Sequence, residues 1–146
     1  SVSAPIQYAA IAAYNNDHSE YINNSKNILK AVGEYVYNNL KSNNIIINKP
    51  QGGFYLMPEF VNKNFSSSDE MCSDILKKTG VALLPGSDFG FSKNKMIVRL
   101  SFTDFDGHTF MKNVSDTENI DDNLISKFAP NIVDGVNKLK RWSESS

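Results

Sequence analysis

An α+β fold is predicted for this chain: a small, mostly antiparallel sheet with helices packed on one side, preceded by a long helix of the interdomain type. Three observations predict it. Short β-branched or aromatic runs, Ile45-Ile46-Ile47, Phe54 to Met57, Val81 to Leu84 and Met96 to Phe102, are bounded by Gly and Pro. Amphipathic stretches of helical period lie before, between and after them. The resulting order is helix, helix, two strands, helix, two strands, helix, which is not the strict strand–helix alternation of a parallel sheet.

Taken in order, Pro5 suits a first helical turn, and Ile6, Ala9, Ala10, Ala13 and Tyr14 follow at helical spacing up to Asn15-Asn16. A second helix is expected from Asp17-His18-Ser19-Glu20, read as an Asp cap with a Glu three residues on. Its apolar stripe is Ile22, Ile28, Leu29, Val32, Tyr35, Val36 and Leu40. Pro50-Gln51-Gly52-Gly53 is a turn, and the strands on either side of it are expected to pair antiparallel. Ser67 and Glu70 stand at capping-box spacing before a helix with Met71, Cys72, Ile75 and Leu76 inward, closed by Gly80. Asp106 to Asn123 is polar and patternless and reads as a loop. Pro130 opens a last helix with Ile132, Val133, Val136 and Leu139 inward; Gly135 within it implies close packing, and Ser143 to Ser146 are expected to fray. Residues 1–44 are read as a helical segment arriving from another domain, and residues 45–146 as the α+β domain.

Composition narrows the function. The 146 residues are 40% hydrophobic and 21% charged, ordinary for a soluble globular chain with a core of useful size. A net charge of -1 and a pI near 6.1 give no electrostatic case for nucleic acid or an anionic membrane. No apolar run approaches the roughly 20 residues of a membrane helix. A single cysteine, Cys72, excludes an internal disulfide and suits a reducing compartment; the cytoplasm is the expected location. The start, Ser1-Val2-Ser3-Ala4-Pro5, has no initiator Met and no signal-like pattern, and the chain is expected to be cut from a longer one. Glycosylation triplets at Asn23, Asn64 and Asn113 are read as chance products of an Asn-rich sequence.

Few residues offer chemistry. His18 and His108 lie far apart in polar segments without partners at metal-ligand spacing, so both read as surface histidines and no metal is expected. Cys72, on an apolar helix face, reads as a small buried hydrophobe rather than a nucleophile. Gly52-Gly53 and Gly86 match no phosphate-binding fingerprint. Asp104-Phe105-Asp106-Gly107 begins like a calcium loop but lacks its later ligands, so a turn is expected. Arg99 stands out. Met96, Val98, Leu100 and Phe102 share one face of its strand, and Ile97, Arg99 and Ser101 the other. Burying an unpaired guanidinium costs several kcal/mol. Two readings stay open on pattern alone: an arginine on the open face of an antiparallel sheet, or a planar fork that captures a carboxylate in bidentate fashion.

Three motifs together are specific. Pro50-Gln51-Gly52-Gly53-Phe54-Tyr55, then Gly80 to Gly90 (Gly-Val-Ala-Leu-Leu-Pro-Gly-Ser-Asp-Phe-Gly), then Ile97-Val98-Arg99-Leu100-Ser101-Phe102 resemble the C-terminal small domain of fold-type-I, class I/II pyridoxal-phosphate-dependent aminotransferases. Ser3 to Ala10 resembles the segment shortly after the cofactor lysine of that family, and Ala129 to Trp142 its last helix. The resemblance implies a transaminase moving an amino group between an amino acid and a 2-oxo acid, a homodimer in which a missing N-terminal large domain holds most of the pyridoxal 5'-phosphate. It implies that Arg99 grips the substrate α-carboxylate, that Phe54 lies on the substrate side, and that Ser3 lies near the cofactor site of the neighbouring subunit.

The family's cofactor lysine and pyridine-binding aspartate fall upstream of Ser1, and no lysine here stands in that context. These residues alone are therefore expected to be inactive and to bind the cofactor poorly. A surface uncovered by the missing domain is expected to favour self-association. The alternatives are a free-standing module that binds a small carboxylate, and a related pyridoxal-phosphate lyase or synthase. The amino donor is not legible.

Overall fold

The computed structural model describes residues 2–114 and 119–145. Helix α1 (Ala4–Asn15) starts with Pro5 in its first turn, as expected, yet buries no residue along its length; Tyr8 and Tyr14 are 75% and 89% exposed. Helix α2 (Ser19–Leu40) follows. Its second half lies in the core through Ile28, Val32, Tyr35, Val36 and Leu40, while Tyr21 and Ile22 stay outside. The expected capping box does not form. Asp17 instead accepts from the backbone N–H and hydroxyl of Ser19, at 2.9 and 2.6 Å, and the helix begins behind His18.

The strands are short: β1 (Ile45–Ile46), β2 (Tyr55–Leu56), β3 (Glu59–Phe60), β4 (Leu84–Pro85) and β5 (Val98–Ser101). All pairings are antiparallel, in agreement with an α+β fold. The expected β1–β2 hairpin is replaced by β1 against β3, with Ile45 opposite Phe60. Strand β2 pairs instead with β5, Tyr55 opposite Ser101 and Leu56 opposite Leu100. Pro58 explains the change. It has no N–H to donate, so it breaks the Phe54–Phe60 run into two pieces that both lie along β5; its own carbonyl accepts from Val98, and Glu59 bridges Ile97. On the far edge, β4 pairs Leu84 with Arg99 and Pro85 with Val98. Strand β5 is thus the middle strand of three.

Met96, Val98, Leu100 and Phe102 turn to the core, as the alternation requires. Helix α3 (Ser68–Thr79) is capped as expected by Ser67, whose hydroxyl accepts from the Glu70 N–H at 3.2 Å, and ends at Gly80 with a left-handed φ of 75°. Glu70 does not complete a capping box, since its carboxylate serves Ser66 instead. Met71, Cys72 and Ile75 are buried; Leu76 is not.

The expected Asp106–Asn123 loop holds two helices, α4 (Gly107–Val114) and part of α5 (Asp122–Phe128), with residues 115–118 and the Ser115 of the third triplet outside the described residues. Their signals are local. The Asp106 carboxylate accepts from the Thr109 N–H and hydroxyl, and Asp121 accepts from the Leu124 N–H. Phe110, between Phe105 and Phe128, is fully buried.

Helix α6 (Pro130–Glu144) closes the core against α2, α3 and α5. Its last turn does not fray at Ser143, which is 5% exposed. Trp142 holds it: the indole N–H donates to Asp74 at 2.9 Å, the ring meets Phe60 edge-on and Phe65 face-on, and the Lys63 ammonium lies 4.6 Å from its centroid. That hydrogen bond, followed by Lys78, holds the Asp74 carboxyl below its ordinary range.

Two glycines set close approaches, and neither is Gly135. At Gly33, an added Cβ would lie 3.0 Å from the Phe102 ring. At Gly86 it would lie 2.7 Å from the Ile97 carbonyl oxygen, which already accepts from the Gly86 N–H at 2.8 Å. At Gly135 the nearest atom is Val81 Cγ2 at 3.9 Å, an ordinary contact. Opposite outcomes follow in urea unfolding. Gly86→Ala is expected to cost about 1–3 kcal/mol through backbone displacement, whereas Gly135→Ala should gain about 0.5–1 kcal/mol from helix propensity.

Candidate functional site: an open sheet face around Arg99

The face of the three-stranded sheet opposite the core carries Tyr55 on β2, Leu84 on β4, and Arg99 and Ser101 on β5. Register places Leu84 directly across from Arg99 and Tyr55 one diagonal away, within reach of a long side chain. After β4 the chain makes a 3-10 turn, Gly86–Phe89, that brings Phe89 back over the same face. Three contacts fix that turn. Gly86 is bonded to Ile97, the Ser87 hydroxyl lies 3.3 Å from an Asp69 oxygen at the start of α3, and Gly90 closes the turn at φ 88°. Gly90 supplies the left-handed conformation that L side chains avoid.

Arg99 is half-buried, with its guanidinium carbon 4.2 Å from the Phe89 ring centroid and 4.4 Å from that of Tyr55. Both distances lie within the roughly 6 Å range of a cation–π interaction, each worth about 0.5–1 kcal/mol at an exposed site. Among the described residues no carboxylate lies within 4 Å of the guanidinium, and the described salt bridges join Lys49–Glu34, Lys78–Asp74 and Lys138–Asp134. Two aromatic rings thus lie against the guanidinium, while none of its N–H donors has an acid partner among the described residues. The principal cavities, about 240 to 540 Å³, lie elsewhere and none is lined by Arg99.

Of the other sequence-derived candidates, Phe54 joins this cluster at one remove. Its ring lies 4.3 Å from that of Tyr55, and it is 39% exposed. Ser3 stands apart at the start of α1: its carbonyl accepts from the Gln7 N–H, its hydroxyl caps nothing, and no hydrogen bond ties it to Arg99. Tyr55 and Phe89 were not singled out by sequence, although both lie inside the motifs. Alternation on β2 places Tyr55 with Arg99 once the β2–β5 register is known; nothing local to Pro85-Gly86-Ser87-Asp88-Phe89 reveals where its ring goes.

Residues 1–107 match the family described as aminotransferase class I and II. The chain belongs to that family. The aspartate aminotransferase of Sulfolobus acidocaldarius is 27% identical over 139 residues, 92% of this chain and 30% of that protein. Among solved structures, the aspartate aminotransferase of Thermotoga maritima has a TM-score of 0.64 at 22% identity, covering 99% of this chain and 29% of that one. The alanine aminotransferase of Pyrococcus furiosus gives 0.69 at 22%, covering 97% and 30%. This chain therefore spans about three tenths of the length of those aminotransferases, and the structural likeness shows the shared fold.

An aminotransferase uses pyridoxal phosphate, and a lysine amine must meet that cofactor. The Arg99 face is built from Tyr55, Leu84, Phe89 and Ser101, with no lysine among them. Lysines with defined partners are engaged elsewhere: Lys41 with Tyr37, Lys49 with Glu34, Lys63 with Trp142, Lys78 with Asp74, Lys138 with Asp134. These residues do not by themselves build the cofactor's site.

His18 and His108 are exposed, and no group of three or more His, Cys, Asp or Glu suited to a metal occurs among the described residues. No helix there is long and apolar enough to cross a membrane. Cys72 is buried, and burial, then Asp69 and Asp88, push its thiol up to about 11. The thiolate is the reactive form. Modification of Cys72 by an aromatic disulfide reagent at pH 8 is therefore expected to be on the order of 10–100-fold slower in the native chain than in urea; equal rates would contradict its burial.

Proposed function

We propose that this chain is the carboxyl-terminal, substrate-closing part of a pyridoxal-phosphate-dependent transaminase, and that Arg99 holds the α-carboxylate of the amino-acid or 2-oxo-acid substrate. One observation carries the reading: a half-buried guanidinium, braced by two rings, faces the open side of the sheet with no carboxylate of the described residues within 4 Å. A planar carboxylate fits such a fork through two parallel charge-assisted hydrogen bonds. Phe54 and Tyr55 would line the approach to it.

In this reading residues 45–146 move as the closing domain and residues 1–44 lead from a large domain that carries the cofactor lysine and most phosphate contacts. Once Arg99 engages its carboxylate, the aromatic rim of Phe54, Tyr55 and Phe89 excludes water from the reacting end of the substrate. Ser3 is assigned the weaker role of approaching the cofactor site of a second subunit in a homodimer. The cytoplasm is the proposed location.

Titration of the chain with a 2-oxo acid, followed by calorimetry, tests the grip. Binding is expected for the wild-type chain, and Arg99→Lys should weaken it about tenfold through loss of the bidentate contact. In the complete enzyme the same substitution should raise KM for amino acids more than it lowers kcat. Unchanged affinity and KM would remove Arg99 from the site. The 146-residue chain mixed with pyridoxal phosphate and an amino donor should show neither turnover nor a stable cofactor absorbance band.

A further inference from the structure

The guanidinium of Arg99 carries rotatable bonds that an isolated arginine would leave free, and a bidentate grip requires that they be fixed. Ion pairs normally do this, but none is present here among the described residues. What the structure supplies instead is two rings from different elements: Tyr55 from the strand on one side of β5, and Phe89 from the turn after the strand on the other. Each is anchored independently. The Tyr55 backbone is held in the β2–β5 ladder opposite Ser101. Phe89 is held by the Gly86–Ile97 hydrogen bond, the Ser87–Asp69 contact and the Gly90 cap. Both rings remain about two-fifths exposed, 43% and 39%, so neither is placed by a need to fill the core.

We propose that Tyr55 and Phe89 are positioning residues that hold the Arg99 guanidinium in one plane with its N–H fork free. The inference rests on the carboxylate-binding reading for its purpose, and on the two cation-to-ring contacts alone for its substance. A ring face attracts the cation without consuming a donor N–H, so the arginine is oriented before any ligand arrives. A carboxylate in the same place would orient the side chain equally well and occupy the fork. Two rings therefore achieve what an acidic partner could not: an ordered arginine that is still able to bind.

The chain contains one other arginine, Arg141, which is exposed on α6 and serves as an internal reference. Side-chain ¹⁵Nε relaxation of the full chain is the measurement. In the wild type the Arg99 Nε–Hε order parameter should approach that of rigid backbone, about 0.85, while Arg141 stays below about 0.6. The Tyr55→Leu/Phe89→Leu double variant, which keeps apolar bulk, should bring Arg99 down to the Arg141 value, and Tyr55→Phe/Phe89→Tyr, which keeps both rings, should restore it. Thermal unfolding of each variant shows that the fold is retained, and single leucine variants stand in if the double variant does not fold. Affinity for pyruvate should fall about threefold or more with the leucines and recover with the rings. Equal mobility of Arg99 and Arg141 in the wild type would overturn the proposal, as would an Arg99 that stays rigid in the leucine variants or loses order with no change in affinity. A rigid Arg99 that the leucines loosen, in a wild-type chain that binds no carboxylate, would support the positioning role and overturn the carboxylate reading.

Discussion

The contact on which the site depends is made by a residue without a side chain. Gly86 approaches β5 until its N–H bonds the Ile97 carbonyl at 2.8 Å, and a methyl group there would meet that oxygen at 2.7 Å. This contact lets the chain leave β4, turn within four residues and return Phe89 to the face it has just left. With Tyr55 fixed from the other edge by the β2–β5 ladder, the position of Arg99 is set by three elements that meet only when the sheet is assembled. A cation, two rings and a backbone–backbone hydrogen bond thus form one unit.

The two faces of the sheet answer to different forces. On one, Val98, Leu100 and Phe102 join Val32, Val36 and Leu139 in a continuous apolar core, and burial of this kind contributes about 1.5–3 kcal/mol per large side chain. On the other, Tyr55, Leu84 and Phe89 remain partly exposed around a guanidinium that has no acid partner among the described residues. An unpaired guanidinium is tolerable there because it is half-buried rather than buried, and because the rings offset part of its lost hydration.

Much of this architecture was legible in the sequence, and what was missed shares a cause. Pro5, Ser67 and Gly80 act within a few residues of themselves, and each sits where its local chemistry predicts. The alternation through Met96 to Phe102 assigned the two faces of β5 correctly because one face of a sheet must be apolar. The failures involve partners distant in sequence. Nothing local says that β1 prefers Phe60 to the nearer Tyr55, or that α1 and the first turns of α2 remain uncovered by the rest of the chain. Helix α4 escaped because polar residues surround its few anchors, Phe105, Phe110 and Val114, although Asp106 marked its start. At the site, Arg99 was visible as an anomaly. Tyr55 and Phe89 were not, since aromatic residues in strands and turns are unremarkable until register brings them over a cation.

The Trp142 clasp bears on the order in which the molecule can form. The indole joins the last helix to Asp74 on α3, and the Lys63 ammonium reaches the carbonyls of Trp142 and Ser145 from the loop after β3. Helix α6 also lies against α2, the second element made. Synthesis proceeds from the amino terminus, so the flanks of α2 and α3 that α6 covers stay exposed until α6 has been made. Contacts of such long sequence separation slow folding and lengthen the exposure of sticky intermediates. Trp142 therefore acts as a timing element: the core behind the sheet that presents Arg99 is closed only once α6 is in place.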